Sequence, residues 1–442
     1  MGSIFEVGLK SALYPSLTED ASCDVLVIGG GIAGVLTAFM LKEAGVDCIL
    51  AEASRIGRKT TANSSAKVTA QHGLIYSELL AKYGKERAAA YLKANSEAIE
   101  KFDTLSHRFT CDFERCDSYI YSTTSTKSLE RELEALSQIG YPADLTTLLP
   151  LPLETVGAIR FPNQGKINAA KLTHGVAREL RIYEKTRIVK IERGVSHAEN
   201  GCKIRSDKTV VATHFPILNR AGAYFLKMYQ SRSYVLALKG APAVSGVYLD
   251  ERASGFSFRG YRDTLLIGGG SHRTGAGSGG FDIVEDFAKK CYPCAETVAK
   301  FAAQDCITLD KIPYIGRYSK SMPYLYVITG FNKWGMTGSM AGAGVICDLI
   351  LRGESEYEEL FNPSRPMPPR PLLENVLSSA KGLINLRTPR CSHLGCAMTW
   401  NKAERSWDCP CHGSRFKERG EILDGPANKR IKEENNSLRN TD

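Results

Sequence analysis

The stretch DVLVIGGGIAG, residues 24–34, decides how this chain is read. Val25–Ile28 is a continuous apolar run, as expected at the centre of a parallel sheet. Gly29, Gly31 and Gly34 then form a G-x-G-x-x-G that opens a helical pattern, IAGVLTAFMLKEAG, ending near Gly45. VDCILAEA supplies a second strand. Glu52 stands at its end, 18 residues after Gly34. In this strand–helix–strand setting the glycines permit a tight turn. They also let a pyrophosphate approach the free N–H groups of the helix start, and a carboxylate at Glu52 can accept from ribose hydroxyls.

The unit alone does not choose between a nicotinamide and a flavin nucleotide. Residues 305–350 do better. TLDKIPYIG leads into YLYVITGFNKWGMTGSMAGAG, which reads as a strand, a glycine-rich turn through Gly335, and a helix start near Met336 or Thr337. A helix N-terminus there suits the N1/C2=O edge of an isoalloxazine, which carries negative charge when reduced. A nicotinamide enzyme has no need of it.

With the segments SSAKVTAQHGLIY, VVATHFP, RSYVLALK, GGGSHRTG, TLDKIPYIG and TGFNKWGMT in view, the chain resembles the D-amino-acid-oxidase (glycine oxidase-like) class of FAD-dependent oxidoreductases. It is most similar to the bacterial subgroup with a C-terminal Rieske domain. The resemblance implies a discontinuous FAD domain interleaved with an antiparallel substrate domain. It also implies that Ser65, Ala66, Lys67 and Thr69 lie near the flavin. Some relatives attach FAD through a cysteine upstream of the T-L-D segment. The equivalent position here is Ala303, so non-covalent FAD is expected.

Near the C-terminus, Cys391-x-His393 is followed by fifteen residues and Cys409-x-x-His412. Two Cys and two His could hold zinc. Three features argue against zinc. Cys396 and Cys411 form a second pair, one in each loop. Gly395 and Gly413 allow tight loops, and Ser414 can donate to a sulfur. C-x-H-L-G-C with C-P-C-H-G-S resembles the two loops of Rieske [2Fe–2S] proteins. That resemblance implies Cys391, His393, Cys409 and His412 as ligands, with two Cys on one iron and two His on the other. It also implies a disulfide between Cys396 and Cys411. High-potential members carry a tyrosine where this chain has Phe416. Losing that donor should lower the reduction potential. Between the preceding linker and Cys391 there is room only for a helix and a short strand, so the base sheet is expected to be short.

The rest of the sequence sets bounds. With 442 residues, 43% apolar and 24% charged, the chain is an ordinary globular composition of two to three domains. The net charge of +9 is scattered rather than striped, which argues against nucleic-acid binding. The longest apolar run, near Ile32–Leu41, is too short for a transmembrane segment. MGSIFEVGLK lacks the basic and apolar regions of a signal peptide, and Glu6 breaks the myristoylation pattern. A cytoplasmic location is expected. Nine of the thirteen cysteines are spread through the first 350 residues and read as reduced thiols, including Cys291-x-x-Cys294. His272, Arg259 and Lys333 are candidates for catalysis or for a substrate carboxylate. For His272 and for His72 a purely structural role is equally open.

The expected architecture is an α/β Rossmann-like FAD-binding domain, an interleaved α+β substrate domain and a small, truncated all-β Rieske-type domain. The boundaries read as follows: leader 1–21; FAD domain 22–75, 150–220 and 305–358; substrate domain 76–149 and 221–304; linker 359–388; iron–sulfur domain 389–430; polar tail 431–442. Residues 76–105, 126–140 and 280–304 read as helices, and FNPSRPMPPRPL as a semi-rigid linker. The expected function is oxidation of a small amine or amino-acid-like substrate, with hydride passing to FAD and electrons then passing singly through the [2Fe–2S] cluster to a one-electron acceptor. The alternative is an electron-transfer flavoprotein reduced by a partner or by NAD(P)H, with no amine substrate.

Overall fold

Three sheets organise the chain, and a computed structural model describes residues 2–9, 11–218, 221–277, 280–384 and 388–431 of it. In the first sheet Ala21–Ile28 lies between Lys203–Val211 and Cys48–Ala51, parallel to both. Leu325–Thr329 extends the parallel set beyond Lys203–Val211. Tyr314–Arg317 closes that edge antiparallel, and Arg181–Tyr183 closes the other parallel to Cys48–Ala51. Helices Ile32–Glu43 and Gly335–Leu351 pack on each other. Both are apolar nearly all round, as buried helices must be. The carboxyl ends of the central strands and the N-termini of both helices therefore meet at one edge, where a ligand binds in such sheets.

The second sheet has nine strands. Its order runs Glu296–Thr308, Met228–Lys239, Thr264–Arg273, Ser257–Tyr261, Val247–Asp250, Glu114–Ser122, Gly157–Lys166 and Lys67–Val68, with Asp144–Thr146 also paired to Gly157–Lys166. Most pairs are antiparallel; Val247–Asp250 and Glu114–Ser122 run parallel. The third sheet is a four-stranded antiparallel meander, Thr399–Asn401, Ser406–Asp408, Arg415–Lys417 and Ile422–Asp424.

Several expectations need correction. Residues 280–304 are not one helix. Phe281–Cys291 is helical, and Glu296–Thr308 is a long strand beside Met228–Lys239. Val298, Phe301 and Cys306 pack into its neighbours, and that tertiary pairing overrides helical reading of the alanines. The domain boundaries also shift. Lys67–Val68 and Gly157–Lys166 belong to the nine-stranded sheet rather than to the nucleotide domain, and Glu296–Thr308 crosses residue 305. The leader is anchored: Phe5 is buried edge-on against Tyr261 and Phe301.

The proline-rich linker is fixed to the body. Arg365 pairs with buried Asp310 at 2.6 Å, and Pro369 begins the helix Pro369–Ile384. Proline suits a first turn, where the amide has no helical partner anyway. The short base sheet is confirmed in a particular form: before Cys391 the described residues provide only a single bridge, Arg390 to Ala397, and the meander forms between and after the two ligand loops. Residues 432–442 of the expected polar tail lie outside the described residues. No helix among the described residues is long and apolar enough to cross a membrane.

Candidate cofactor clefts and cluster site

The glycine turn needs its glycines for backbone reasons. A Cβ on Gly29 would lie 2.4 Å from the Ala212 carbonyl oxygen, and one on Gly34 would lie 1.9 Å from the Gly29 oxygen. At Gly31 the nearest group is the Thr61 hydroxyl at 3.3 Å, so this glycine leaves room on the cleft side. The amides of Gly30 and Ser54 each donate to the Glu52 carboxylate at 2.7 Å. Glu52 is thus held at the mouth of the first cleft, beside Gly29 and Gly31. Across it stand Gly335 and Met336 from the second helix start.

FAD fits this cleft. Beyond the glycine cradle, two polar atoms on its wall, Ser339 Oγ and His214 Nε2, are buried with no protein partner. Such atoms are costly unless a ligand satisfies them.

A second cavity of about 400 Å³ shares Asp305, Lys333, Gly335 and Met336 with the first. Ser65 and Lys67 also line it. Lys67 Nζ donates to Ser257 Oγ at 3.1 Å, and burial, with the nearby Arg259 and Lys333 charges, pushes its pKa down to about 7. Lys333 Nζ donates to Ser271 Oγ at 3.0 Å, and its pKa is lowered by desolvation. Desolvation raises Asp305 against the opposing pull of Lys333 and His214. Asn332 and Lys333 both have positive φ, 53° and 74°. Strained backbone at two consecutive residues with side chains is uncommon and concentrates at functional sites. The junction of the two cavities is therefore a cluster of titratable groups on a strained turn.

Other candidates fall elsewhere. Arg259 is 1% exposed and lines neither cavity. It donates to the carbonyls of Ser65, Ala66 and Ile167, bracing the Ser65–Lys67 segment from behind, so it does not meet a substrate carboxylate. His272 lies against Tyr234, with Nε2 3.0 Å from the tyrosine oxygen and Nδ1 2.9 Å from the Arg273 carbonyl. Its neighbour Ser271, not His272, faces the second cavity. Ala66 is fully buried behind the wall. Thr69 and Thr337 are joined to each other and to His72: Thr337 Oγ1 donates to the Thr69 carbonyl at 3.0 Å, and His72 Nε2 lies 2.8 Å from the same oxygen. His72, by contrast, lines the second cavity, stacked on Trp334, and burial pushes its pKa down to about 3, so its imidazole is neutral. Cys291 and Cys294 are free thiols at a helix end.

Sequence reasoning missed Asp305, His214 and Gln230. The first and last lie on the paired strands Glu296–Thr308 and Met228–Lys239, and the alternation TVAKFAAQDCIT was the signal available for Asp305.

In the C-terminal domain the two loops are built alike. The Cys391 amide donates to the Cys396 carbonyl at 2.8 Å and that of Gly395 to Cys391 at 2.9 Å. The Cys409 amide donates to Ser414 at 2.8 Å and that of Gly413 to Cys409 at 2.9 Å. Gly395 and Gly413 have φ of 75° and 78°, which glycine adopts freely. The rings of His393 and His412 face each other at 5.0 Å, edge to face. His412 Nδ1 is buried with no hydrogen-bond partner. The sulfurs of Cys396, Cys409 and Cys411 lie within 4.8 Å of one another, and Cys391 contacts Cys409. A sulfur-rich side with two imidazoles beside it fits a [2Fe–2S] centre of mixed ligation. The disulfide expected between Cys396 and Cys411 is not formed. In the structure no bond joins their sulfurs, which lie within 4.8 Å of each other and of Cys409 Sγ.

This domain is seated on the flavoprotein body. Arg232 forms a two-pronged ion pair with Glu404, and Arg273 donates to the carbonyls of Pro410 and Cys411. Asp424, Gly425, Pro426 and Ala427 line the first cleft together with Gly29 and Met336.

A nucleotide cleft, an adjoining small-molecule cavity and a Cys/His double loop define a flavoprotein oxidoreductase with an iron–sulfur domain. The chain belongs to the FAD dependent oxidoreductase (DAO) family, which residues 24–349 match, and residues 375–435 match the Rieske [2Fe-2S] domain. Its cofactors are FAD and a [2Fe–2S] cluster. It is 32% identical to YhfW of Bacillus subtilis, named as a Rieske 2Fe-2S iron-sulfur protein, over 95% of each chain. It is 24% identical to gamma-glutamylputrescine oxidoreductase of Escherichia coli, over 81% of this chain and 91% of that one. Glycine oxidase from Geobacillus kaustophilus has the same fold, with a TM-score of 0.65 at 20% identity, over 79% of this chain and all of that structure.

Proposed function

We propose that this protein oxidises a small amine or amino-acid-like substrate in the second cavity and releases the electrons one at a time through the Rieske domain. FAD supplies a two-electron acceptor and the cluster a one-electron carrier, so each amine that leaves as an imine feeds two turnovers of a one-electron acceptor. The observation that carries the reading is the shared wall: residues 424–427 of the iron–sulfur domain line the same cleft as the glycine turn. This shared wall supports a reading in which the two centres lie close together within one chain.

The residues divide the work. Gly29, Gly31, Gly34 and Glu52 hold the nucleotide, with Gly335 and Met336 at the far end of the cleft. Cys391, His393, Cys409 and His412 hold the cluster. Lys67, half-buried, and Lys333, exposed, both line the second cavity, and an anionic group on the substrate would be attracted to the two cations. Asp305, between them, is placed to balance that charge or to exchange a proton with the amine. The relatives named for amine and amino-acid oxidation support this substrate class.

The test is anaerobic mixing of the holoprotein with a panel of small amines and amino acids. Flavin bleaching followed by a Rieske-type EPR signal is expected for at least one. Bleaching by NAD(P)H or a partner protein, with none by any amine, would favour the electron-transfer reading instead.

A further inference from the structure

Gln230 lies on the strand Met228–Lys239 and lines the flavin cleft, yet its side chain reaches out of the flavoprotein body. Its Nε2 donates to the carbonyl of His412 at 2.7 Å and to that of Gly425 at 3.0 Å. The first belongs to a cluster ligand and the second to the segment that walls the cleft. Among the described residues, no other side chain from the flavoprotein body that lines the cleft hydrogen-bonds a cluster-ligand residue.

The orientation of this amide is fixed. Gln304 Nε2 donates to Gln230 Oε1 at 2.6 Å and to the Gly413 carbonyl at 2.8 Å, while Thr274 Oγ1 donates to Gln304 Oε1 at 3.1 Å. Both glutamines are buried. Turning either amide over would set donor against donor or leave a buried carbonyl unpaired, at the cost of a lost buried hydrogen bond. The approach is close: a Cβ on Gly413 would lie 2.5 Å from Gln230 Cβ. Phe225 and Phe215 cover the rings of His412 and His393 edge-on at 5.7 and 6.4 Å. The imidazole side of the cluster site is thus turned toward the flavoprotein body.

We infer that Gln230, locked by Gln304, is the positioning residue that couples the flavin cleft to the cluster, through its hydrogen bond to the carbonyl of His412. The inference rests on the reading that FAD feeds the cluster. Electrons move singly: one leaves reduced FAD, one ferric iron of the cluster becomes ferrous, and a one-electron acceptor protein takes the electron on before the second follows.

The experiment is anaerobic photoreduction of the flavin with EDTA in the full-length holoprotein, with freeze-quench EPR of the cluster, for wild type, Gln230→Leu and Gln304→Leu. Iron content, cluster g values and the reduction potentials of both centres are read in parallel. Expected for Gln230→Leu is cluster reduction slowed by roughly tenfold, about 1.4 kcal/mol on that barrier, with flavin photoreduction, g values and potentials unchanged. Gln304→Leu should lie between that variant and wild type. Equal transfer rates in all three proteins would overturn the role of Gln230. A change in g values or iron content that accounts for the slowing would overturn it as well, by making the residue a structural brace. If the wild-type cluster stays oxidised beside reduced flavin, the underlying reading fails instead, and that outcome is distinct from the other two.

Discussion

The seat of the iron–sulfur domain is open to a quantitative test at Arg232 and Glu404. The side chains are 6% and 14% exposed, and the guanidinium meets both carboxylate oxygens. Removing one partner of a buried pair typically costs 3–5 kcal/mol, because the other charge is left in a poorly solvating site. Glu404 retains Arg415, whose Nη2 lies 3.2 Å away. Arg232→Met should therefore fall at or just below the lower end, about 2–3 kcal/mol. Chemical unfolding of the holoprotein, followed by the visible circular dichroism of the cluster, would measure it. A cycle with Glu404→Gln isolates the pair and should give a coupling of at least about 1 kcal/mol; a coupling below about 0.5 kcal/mol, the level of independent sites, would refute the reasoning. The pH dependence has a defined sign. Burial alone would raise Glu404, but the hydrogen bond and charge of Arg232, with Arg415, hold it below its ordinary value. A depressed folded pKa means that this stability is fully present above the unfolded value of about 4.3 and is lost as pH falls through the folded one. The coupling should be whole at pH 7 and shrink only in acid.

Three further outcomes follow from the clefts. Gly34→Ala should abolish FAD binding in fluorescence titration of the apoprotein, since its Cβ would sit 1.9 Å from the backbone oxygen of Gly29 in the nucleotide turn; retained micromolar binding would contradict this. Glu52→Ala should weaken FAD by roughly 1.5–3 kcal/mol, the range of hydrogen bonds to a charged group, and the bound flavin should leave with acid precipitation. Lys67, lowered to about 7, penalises the fold fully below that pH, and the penalty fades as pH rises toward the ordinary lysine range. The melting temperature of the wild-type apoprotein should accordingly rise between pH 7 and 9 more than that of Lys67→Met, and parallel curves would remove Lys67 as the cause.

The parts legible in the sequence were those whose chemistry is local. A glycine turn between a buried strand and a helix is complete within residues 24–34, and each Cys/His loop closes on its own backbone within six residues, Cys391 to Cys396 and Cys409 to Ser414. Arg259 misled because an arginine is a ready partner for a substrate carboxylate, whereas the fold uses its donors on three carbonyls. His272 misled by one residue of strand alternation, which turns Ser271 to the cavity and the imidazole toward Tyr234. Asp305 stayed hidden because the strand Glu296–Thr308, with Ala299, Ala302 and Ala303, reads as helix until its partner Met228–Lys239 is known, and Gln230 because its partners His412 and Gly425 are remote in sequence. The short base sheet left open that the iron–sulfur domain packs directly on the flavoprotein body, but the contacts that seat it were not legible. The seating depends on pairs such as Arg232 with Glu404, 172 residues apart, and no local pattern marks them.

Residues 424–427 make one wall serve two prosthetic groups. The same short segment is tied to the ligand loops, since the Ala427 amide donates to Ser414 Oγ at 3.0 Å. A shift of this segment on loading one site would reach the other. Whatever factor the cluster contributes to flavin affinity, the flavin returns to cluster affinity, because binding couplings are reciprocal. The quantity can be measured from either side, as FAD affinity with and without iron or as iron retention with and without FAD. The order in which the cell loads the two groups leaves that total unchanged.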